Sequence, residues 1–282
     1  MDGGDLILHN LRLAVIGDLH SGEDRASLPG SLVTDLLEGL VQNLNEKIEP
    51  DAVIDLGDRL NCSDREADLR NLVKIDSVLS HLRCPAYYIC GNHDLENLDS
   101  SVYEKVLKRK LENRSLTIKG FRLLLIDSQD PVIDGVGGSV SADSLSWIDT
   151  EIGESSEPVI VFTHQALDDQ DLEENMHFAS MKELAYVENR LEITKLFKKH
   201  GNIVAAVNGH LHWHSVSLID NTVYISVPSF TETWNKYEKI PGAYSVIDFD
   251  SGRMTVGNYT MQPSVLTSRV AFSLCSRFSK DF

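Results

Sequence analysis

The sequence predicts an α/β fold, and three observations carry that prediction. Six short apolar runs, rich in β-branched residues and not alternating with polar ones, read as strands covered on both faces. Amphipathic helical patterns fall between them. A further group of strand-like runs joined by turn signals follows residue 212. With 282 residues and 42% hydrophobic content, the chain can bury a full core within one large domain.

The strand-like runs are residues 11–16, 52–56, 87–90, 122–126, 159–162 and 203–207. Between the first two, Leu32, Val33, Leu36, Leu37, Leu40, Val41, Leu44 and Ile48 share one helical stripe, with Ser31 at the N-cap position. A second helix is expected after Ser63, whose spacing to Glu66 is that of a capping box. A third is expected from near Asn189, with Glu192 in its first turn, Lys198 and Lys199 in its last, and Gly201 to stop it. Beyond His212, residues 215–219, 223–227, 243–249 and 254–259 read as a closing β-meander, with turns at Asp220-Asn221 and Asp250-Ser251-Gly252. Residues 130–139, with four Gly or Pro, read as a surface loop. The tail after residue 262 is open between an amphipathic helix, a dimer contact and disorder.

Composition narrows the partners. A formal net charge of -17 repels polyanions, which disfavours extended nucleic acid and anionic membrane and leaves small substrates. The N-terminus lacks a basic segment followed by an apolar stretch, and about 18 apolar residues nowhere run together, so a cytoplasmic location without a membrane partner is expected. Cys62, Cys84, Cys90 and Cys275 show no C-x-x-C spacing and read as buried or spare thiols. An oligomer is left open.

Five short polar clusters sit where strands are expected to end: Asp18-Leu19-His20, Gly57-Asp58, Gly91-Asn92-His93-Asp94, His164, and Gly209-His210-Leu211-His212. In open α/β sheets such strand ends converge on a ligand site. In extended backbone, side chains two apart point the same way, so Asp18 with His20 and His210 with His212 would form two pincers. Gly57, Gly91 and Gly209 stand where a missing Cβ allows a sharp turn and close approach of backbone. Each cluster has a bland reading by itself: Asp-x-His as a surface turn, Gly-Asp as a strand-to-turn signal, Gly-Asn as a type I′ turn, His164 as a hydrogen-bonded histidine.

Together, in this order and each after a predicted strand, the five clusters resemble the signature of calcineurin-like metallophosphoesterases, from about Asp18 to His212. The resemblance implies a four-layer sandwich of two mixed β-sheets flanked by helices, occupying residues 1–262 with residues 263–282 as a tail. It also implies that Asp18, His20 and His212 hold one metal, that Asp58 bridges to a second, and that Asn92, His164 and His210 complete the second. His93 would protonate the leaving oxygen and Asp94 would orient its ring. Donors of this mixed carboxylate, imidazole and amide kind suit two divalent ions such as Mn, Fe, Zn or Co, and a bridging carboxylate would place them about 3.5 Å apart, sharing a hydroxide.

Departures from the pattern carry information about the branch. Asn61 stands where purple acid phosphatases resemble this pattern but carry tyrosine, and His93 is followed by Asp94 where the protein-phosphatase branch reads Glu. Gln165-Ala166 departs from the x-Pro that follows the lone histidine in many small phosphodiesterases. Residues 141–152 with Trp147, 189–201 and 226–234 look like the branch holding cyclic-nucleotide phosphodiesterases and manganese-dependent ADP-ribose/CDP-alcohol pyrophosphatases. Trp147 reads as core packing ahead of a base-stacking platform, Phe230, Glu232 and Trp234 as a base-stacking or merely covering loop, and Arg59 and Arg65 as phosphate contacts or solvated surface. His214 is kept outside the ligand set, and Cys62 reads as a structural thiol.

The expectation is therefore a dinuclear-metal phosphohydrolase acting on a small phosphodiester or pyrophosphate, nucleotide-like, by attack of a metal-bridging hydroxide. The alternatives are a phosphomonoesterase using the same site and a metal-stabilised scaffold without turnover.

Overall fold

The pleat of a single strand sets the layering. In β1 (Leu11–Ile16), Leu11, Leu13 and Val15 enter one apolar cluster while Ala14 and Ile16 enter another on the opposite face. The computed structural model describes residues 10–234, 241–250, 252–261 and 264–274. Cys275, Ser251 of the expected turn, and residues 1–9 and 275–282 of the two termini lie outside the described residues.

After β1 come α1 (Val33–Asn43), β2 (Ala52–Asp55), α2 (Arg65–Leu79), β3 (Ala86–Tyr88), α3 (Ser100–Leu107), β4 (Arg114–Ile118) and β5 (Phe121–Leu125). A small hairpin, β6 (Val132–Ile133) and β7 (Gly137–Gly138), leads to α4 (Ala142–Glu154), β8 (Val159–Thr163), α5 (Arg190–His200) and β9 (Ile203–Asn208). The remainder is strand: β10 (Ser215–Ile219), β11 (Thr222–Ser226), β12 (Tyr244–Asp250), β13 (Arg253–Met261) and β14 (Ser264–Ser273). One six-stranded sheet runs β14-β13-β12-β1-β2-β3 and the other β10-β11-β9-β8-β5-β4. Both are mixed: β1, β2 and β3 are parallel, as are β5, β8, β9 and β11, whereas β12, β13 and β14 join the first sheet and β4 and β10 the second by antiparallel pairing.

The inner faces of the two sheets form the central core, in which Leu13 and Val15 meet Leu123, Leu125, Phe162 and Val207. Phe121 and Phe249 join it from the two sheets with ring centroids 4.6 Å apart. On the outer faces, α1 and α2 cover the first sheet and α4 and α5 cover the second. This is the four-layer sandwich expected from the sequence. The stripe on α1 buries Leu36, Leu37, Leu40 and Val41, each contributing about 1.5–3 kcal/mol of transfer free energy.

Local details differ from expectation. Ser31 does not cap α1; it lies in a 3-10 turn, Gly30–Leu32, and its amide is itself capped by Asp24 Oδ1 at 3.0 Å. The cap of α2 is Asp64, one residue beyond Ser63, accepting from Ala67 N at 2.8 Å. Helix α5 ends on Gly201 with φ 68°, as expected, but the Asn189 side chain is spent on the loop, its Oδ1 accepting from Val140 N at 3.1 Å. The expected single meander is divided: β10 and β11 extend the second sheet while β12 to β14 extend the first. Strand β14, from the expected tail, pairs with β13. Among the described residues, no helix is long and apolar enough to cross a membrane.

Candidate metal centre

All five clusters meet at one end of the sandwich, where β1, β2, β8 and β9 stop and β3 leads into residues 91–94. The polar residues are buried: Asp18, His20, Asp58, Asn92, His164, His210 and His212 all fall below one-tenth exposure. The backbone is not extended at the two expected pincers. Asp18, His20, Asp58, His210 and His212 all have left-handed φ, between 45° and 65°, so Leu19 and Leu211 turn into apolar packing while their neighbours turn into the site. A non-glycine residue in that region costs on the order of 1 kcal/mol or more, and cross-links between loops hold it there. Asp18 N donates to Gly57 O and His20 N to Asp58 O, both at 2.9 Å, and His210 N donates to the Asp18 carboxylate at 3.0 Å. A Cβ on Gly57 would strike the Gly91 backbone, and one on Gly91 would strike the Asp58 carboxylate.

Two triads of donors result. Asp18, His20 and His212 form one, and Asp58, His164 and His210 the other, with the donor atoms of each within 4.8 Å of one another. Asp58 Oδ2 lies between them, 3.3 Å from His164 Nε2 and 3.9 Å from His20 Nε2. Within the triads, His20 Nε2 faces His212 Nε2 at 3.0 Å and His164 Nε2 faces His210 Nδ1 at 3.2 Å. The outer nitrogens explain why such contacts want a cation. His164 Nδ1 donates to Leu56 O at 2.7 Å, His210 Nε2 to Leu184 O at 3.0 Å, and His212 Nδ1 to Glu232 Oε2 at 3.1 Å. Each of these three imidazoles therefore turns a lone pair inward, and facing lone pairs repel unless a proton or a metal lies between them.

The charge balance agrees. Burial, and then Asp58, push the Asp18 carboxyl up. Asp58 is held down despite burial by His164 and His93. Burial with a neighbouring imidazole holds His20 and His210 well below the usual histidine range, while the carboxylates of Asp58 and Asp18 raise His164 against its burial. Two buried carboxylates thus compete for positive charge. Asn92 Oδ1 is buried without a hydrogen-bond partner, a neutral oxygen that costs about 1–3 kcal/mol unless something positive meets it. The donor set fits a pair of divalent ions.

Residues 11–214 match the calcineurin-like phosphoesterase family. The chain belongs to that family. It is a metal-dependent phosphoesterase, and the family implies two divalent ions at its histidine and aspartate clusters. The phosphoesterase is 21% identical to a probable cyclic nucleotide phosphodiesterase of Synechococcus sp., over 85% of this chain and 88% of that protein. It is 29% identical to a second, from Fibrobacter succinogenes, over 54% and 56%. Its fold is similar to that of a dimetal phosphatase from Danio rerio, with TM-score 0.74 and 14% identity over 94% of this chain and 99% of that one.

Around the donors, the structure of the phosphoesterase revises several expectations. Asp94 does not turn toward the His93 ring: its Oδ2 accepts from Asp58 N and Gly91 N and its Oδ1 from Arg59 N, all at 2.9 Å, so it clips two ligand loops together. His93 Nδ1 is met by Glu96 Oε2 at 3.4 Å and Cys62 Sγ at 3.2 Å, and the His93 amide donates to Asp58 Oδ1 at 2.9 Å. Arg59 is neither a phosphate contact nor surface; it is buried, 2.6 Å from Asp55 Oδ2, with its guanidinium over Tyr88. Arg65 is exposed and pairs with Asp99. Trp147 packs partly buried against the second sheet's outer cluster. His214 Nδ1 lies 3.3 Å from Ser226 O, away from both triads.

Phe230 is fully buried and offers no stacking face. Glu232, from the same loop, holds His212 through Oε2 and caps the Thr233 and Trp234 amides through Oε1. Its Oε2 also lies 2.8 Å from Nε2 of His177, which sequence reasoning missed altogether. His177 stands in a long segment between β8 and α5 with no strand end to flag it. The departure at Gln165 is structural: its buried amide accepts from Ser128 Oγ at 2.6 Å and donates to Val136 O at 3.2 Å, tying the His164 loop to residues 130–139. That segment is therefore more than a surface loop, since Gly135 O also accepts from Asn92 Nδ2 at 3.3 Å.

Above the triads lies an open cleft of about 280 Å³ lined by Arg25, Leu28, Asn61, His93, His177 and Phe178 among others. The larger hollows elsewhere on the surface contain none of the clustered donors.

Proposed function

We propose that this protein hydrolyses a small phosphodiester or pyrophosphate bond in a nucleotide-like substrate, with Asp18, His20 and His212 holding one divalent ion, Asn92, His164 and His210 the other, and Asp58 shared. The observation that carries this reading is the convergence of inward-facing lone pairs and buried carboxylates under one open cleft. When bound, two such ions polarise a phosphoryl oxygen and make water acidic enough to attack phosphorus near neutral pH. The protein's own contribution is to hold the donors without reorganisation: Leu56 O, Leu184 O and Glu232 fix three imidazoles, and Asp94 fixes the loops bearing Asp58 and Asn92.

His93 is the group we assign to the leaving oxygen. Its ring is about one-third exposed at the cleft, 5.2 Å centroid to centroid from the His20 ring, and is held in place through its own amide on Asp58. A proton delivered there contributes most where the leaving group is a poor one. Cleft size and the names of the relatives favour a single nucleotide over a polymer, as does a net charge of -17.

The test is a reconstitution. Protein stripped with chelator and reloaded with manganese is assayed on p-nitrophenyl phosphate, bis-p-nitrophenyl phosphate, cyclic AMP and ADP-ribose. Turnover of the diester or pyrophosphate substrates above the monoester supports the proposal. Preference for the monoester overturns the substrate class, and inertness toward all four in apo and loaded protein alike overturns the activity.

A further inference from the structure

Beside the cleft, three donors of different chemistry meet outside the two triads. Cys62 Sγ and Glu96 Oε2 lie 3.2 Å and 3.4 Å from the same atom, His93 Nδ1. All three donor atoms fall within 4.8 Å of one another. A zinc ion with bonds of about 2.3 Å to sulfur and about 2.0–2.1 Å to nitrogen and oxygen, in tetrahedral array, separates S from N by roughly 3.5 Å and N from O by roughly 3.4 Å. The two distances to His93 Nδ1 already stand within a few tenths of an ångström of that spacing.

Hydrogen bonding alone accounts for only part of this arrangement. The Cys62 thiol donates to His93 O at 3.0 Å, which satisfies its one hydrogen. An imidazole nitrogen has a single hydrogen or a single lone pair to offer, yet sulfur and carboxylate both converge on Nδ1. A cation in their midst meets all three.

We propose that Cys62, His93 and Glu96 form a third metal site, distinct from the two triads, that takes a thiophilic divalent ion such as Zn²⁺, Cd²⁺ or Co²⁺ present in excess and, by fixing His93, slows turnover. Thiolate and imidazole donors select such ions over Mg²⁺ or Mn²⁺. Binding replaces the Cys62 S–H bond with an S–metal bond and releases one proton to solvent, with no change of oxidation state. Burial, and then Glu96, push the thiol far above its usual range, so an ion must bind sulfur strongly to displace that proton. Solvent reaches the site from the Glu96 side, whose side chain is 54% exposed. The slowing of turnover rests on the role assigned to His93; the binding of metal does not.

The full chain loaded with manganese is titrated with Co²⁺ while the thiolate-to-cobalt charge-transfer absorption is followed, and separately with Zn²⁺ while turnover is followed. The expected result is a band that saturates at one equivalent, is absent in Cys62→Ser, persists in Cys84→Ser, and needs about tenfold more cobalt in Glu96→Gln. Zinc inhibition, expressed for each protein relative to its own zinc-free turnover, should shift to at least about tenfold higher concentration in Cys62→Ser than in the parent or in Cys84→Ser. No band in the parent protein, or one that survives Cys62→Ser, overturns the site. A band at one equivalent with undiminished turnover overturns the inhibition, and with it the role of His93. The band stays readable even if none of the substrates is turned over, so failure of the proposed activity is seen separately.

Discussion

Glu232→Gln asks how much of one candidate metal triad depends on a carboxylate that stands outside it. Glu232 is buried, and its Oε2 accepts from His212 Nδ1 at 3.1 Å and lies 2.8 Å from His177 Nε2. Its Oε1 caps the Thr233 and Trp234 amides at 2.8 and 3.1 Å. A neutral amide has one acceptor oxygen for those four contacts, so His212 loses the partner that fixes its tautomer and turns Nε2 inward. Loss of such a partner weakens metal binding by about 10–100-fold, or roughly 1.4–2.7 kcal/mol. The expected result is a midpoint for manganese activation raised by that factor, with turnover at saturating manganese close to that of the parent. Metal content after dialysis against graded manganese checks the same quantity without substrate. An unchanged midpoint would refute the reasoning, and lost turnover at an unchanged midpoint would return Glu232 to a substrate-covering loop. A pH signature accompanies it. Hydrogen bonds from His177 and His212 hold the Glu232 carboxyl below its ordinary 4.5 despite burial. Its stabilising contribution is therefore complete above that pH and is lost as pH falls below it, and the glutamine variant lacks this acid-side loss.

Asp58→Asn should lower occupancy of both ions together, read by metal analysis; retention of one ion would contradict a shared carboxylate. His93→Ala should keep both ions and lose about 10²–10⁴-fold in turnover on poor leaving groups, and much less on p-nitrophenolate esters, as read by comparative kinetics. Asp94→Ala strands the amides of Asp58, Arg59 and Gly91 and should cost about 3 kcal/mol in a urea titration, part of the loss being offset by the burial that raises this carboxyl. Arg59→Ala leaves Asp55 buried without its ion-pair partner and should cost about 3–5 kcal/mol by the same measurement.

How far the sequence reached can be seen residue by residue. The run at residues 11–16 is β1 to the residue, because a strand covered on both faces stays apolar apart from the exposed Arg12 near its start, and it ends where Gly17 and Asp18 begin the turn into the site. The hairpin of β4 and β5 was half missed: Arg114–Ile118 is an edge strand, largely half-buried or exposed, and leaves no apolar run. Helix α3 was passed over for a similar reason, as only Tyr103 and Leu107 of its eight residues are buried. At the site, the seven candidate donors were legible because each follows a strand end in a fixed short pattern. Their supporting residues were not, since Leu56 and Leu184 act through backbone carbonyls and His177 comes from a segment with no pattern of its own.

The sequence by itself determined the family, the layering and the set of candidate donors, because periodicity of burial and local spacing along a strand end are properties of neighbouring residues. Tertiary structure alone decided which nitrogen of each histidine faces inward, that Asp94 serves backbone amides instead of the His93 ring, and that Cys62 and Glu96 reach the same imidazole. Those facts depend on atoms brought together by packing from distant parts of the chain, through left-handed turns at Asp18, Asp58 and His210 that the linear order does not encode.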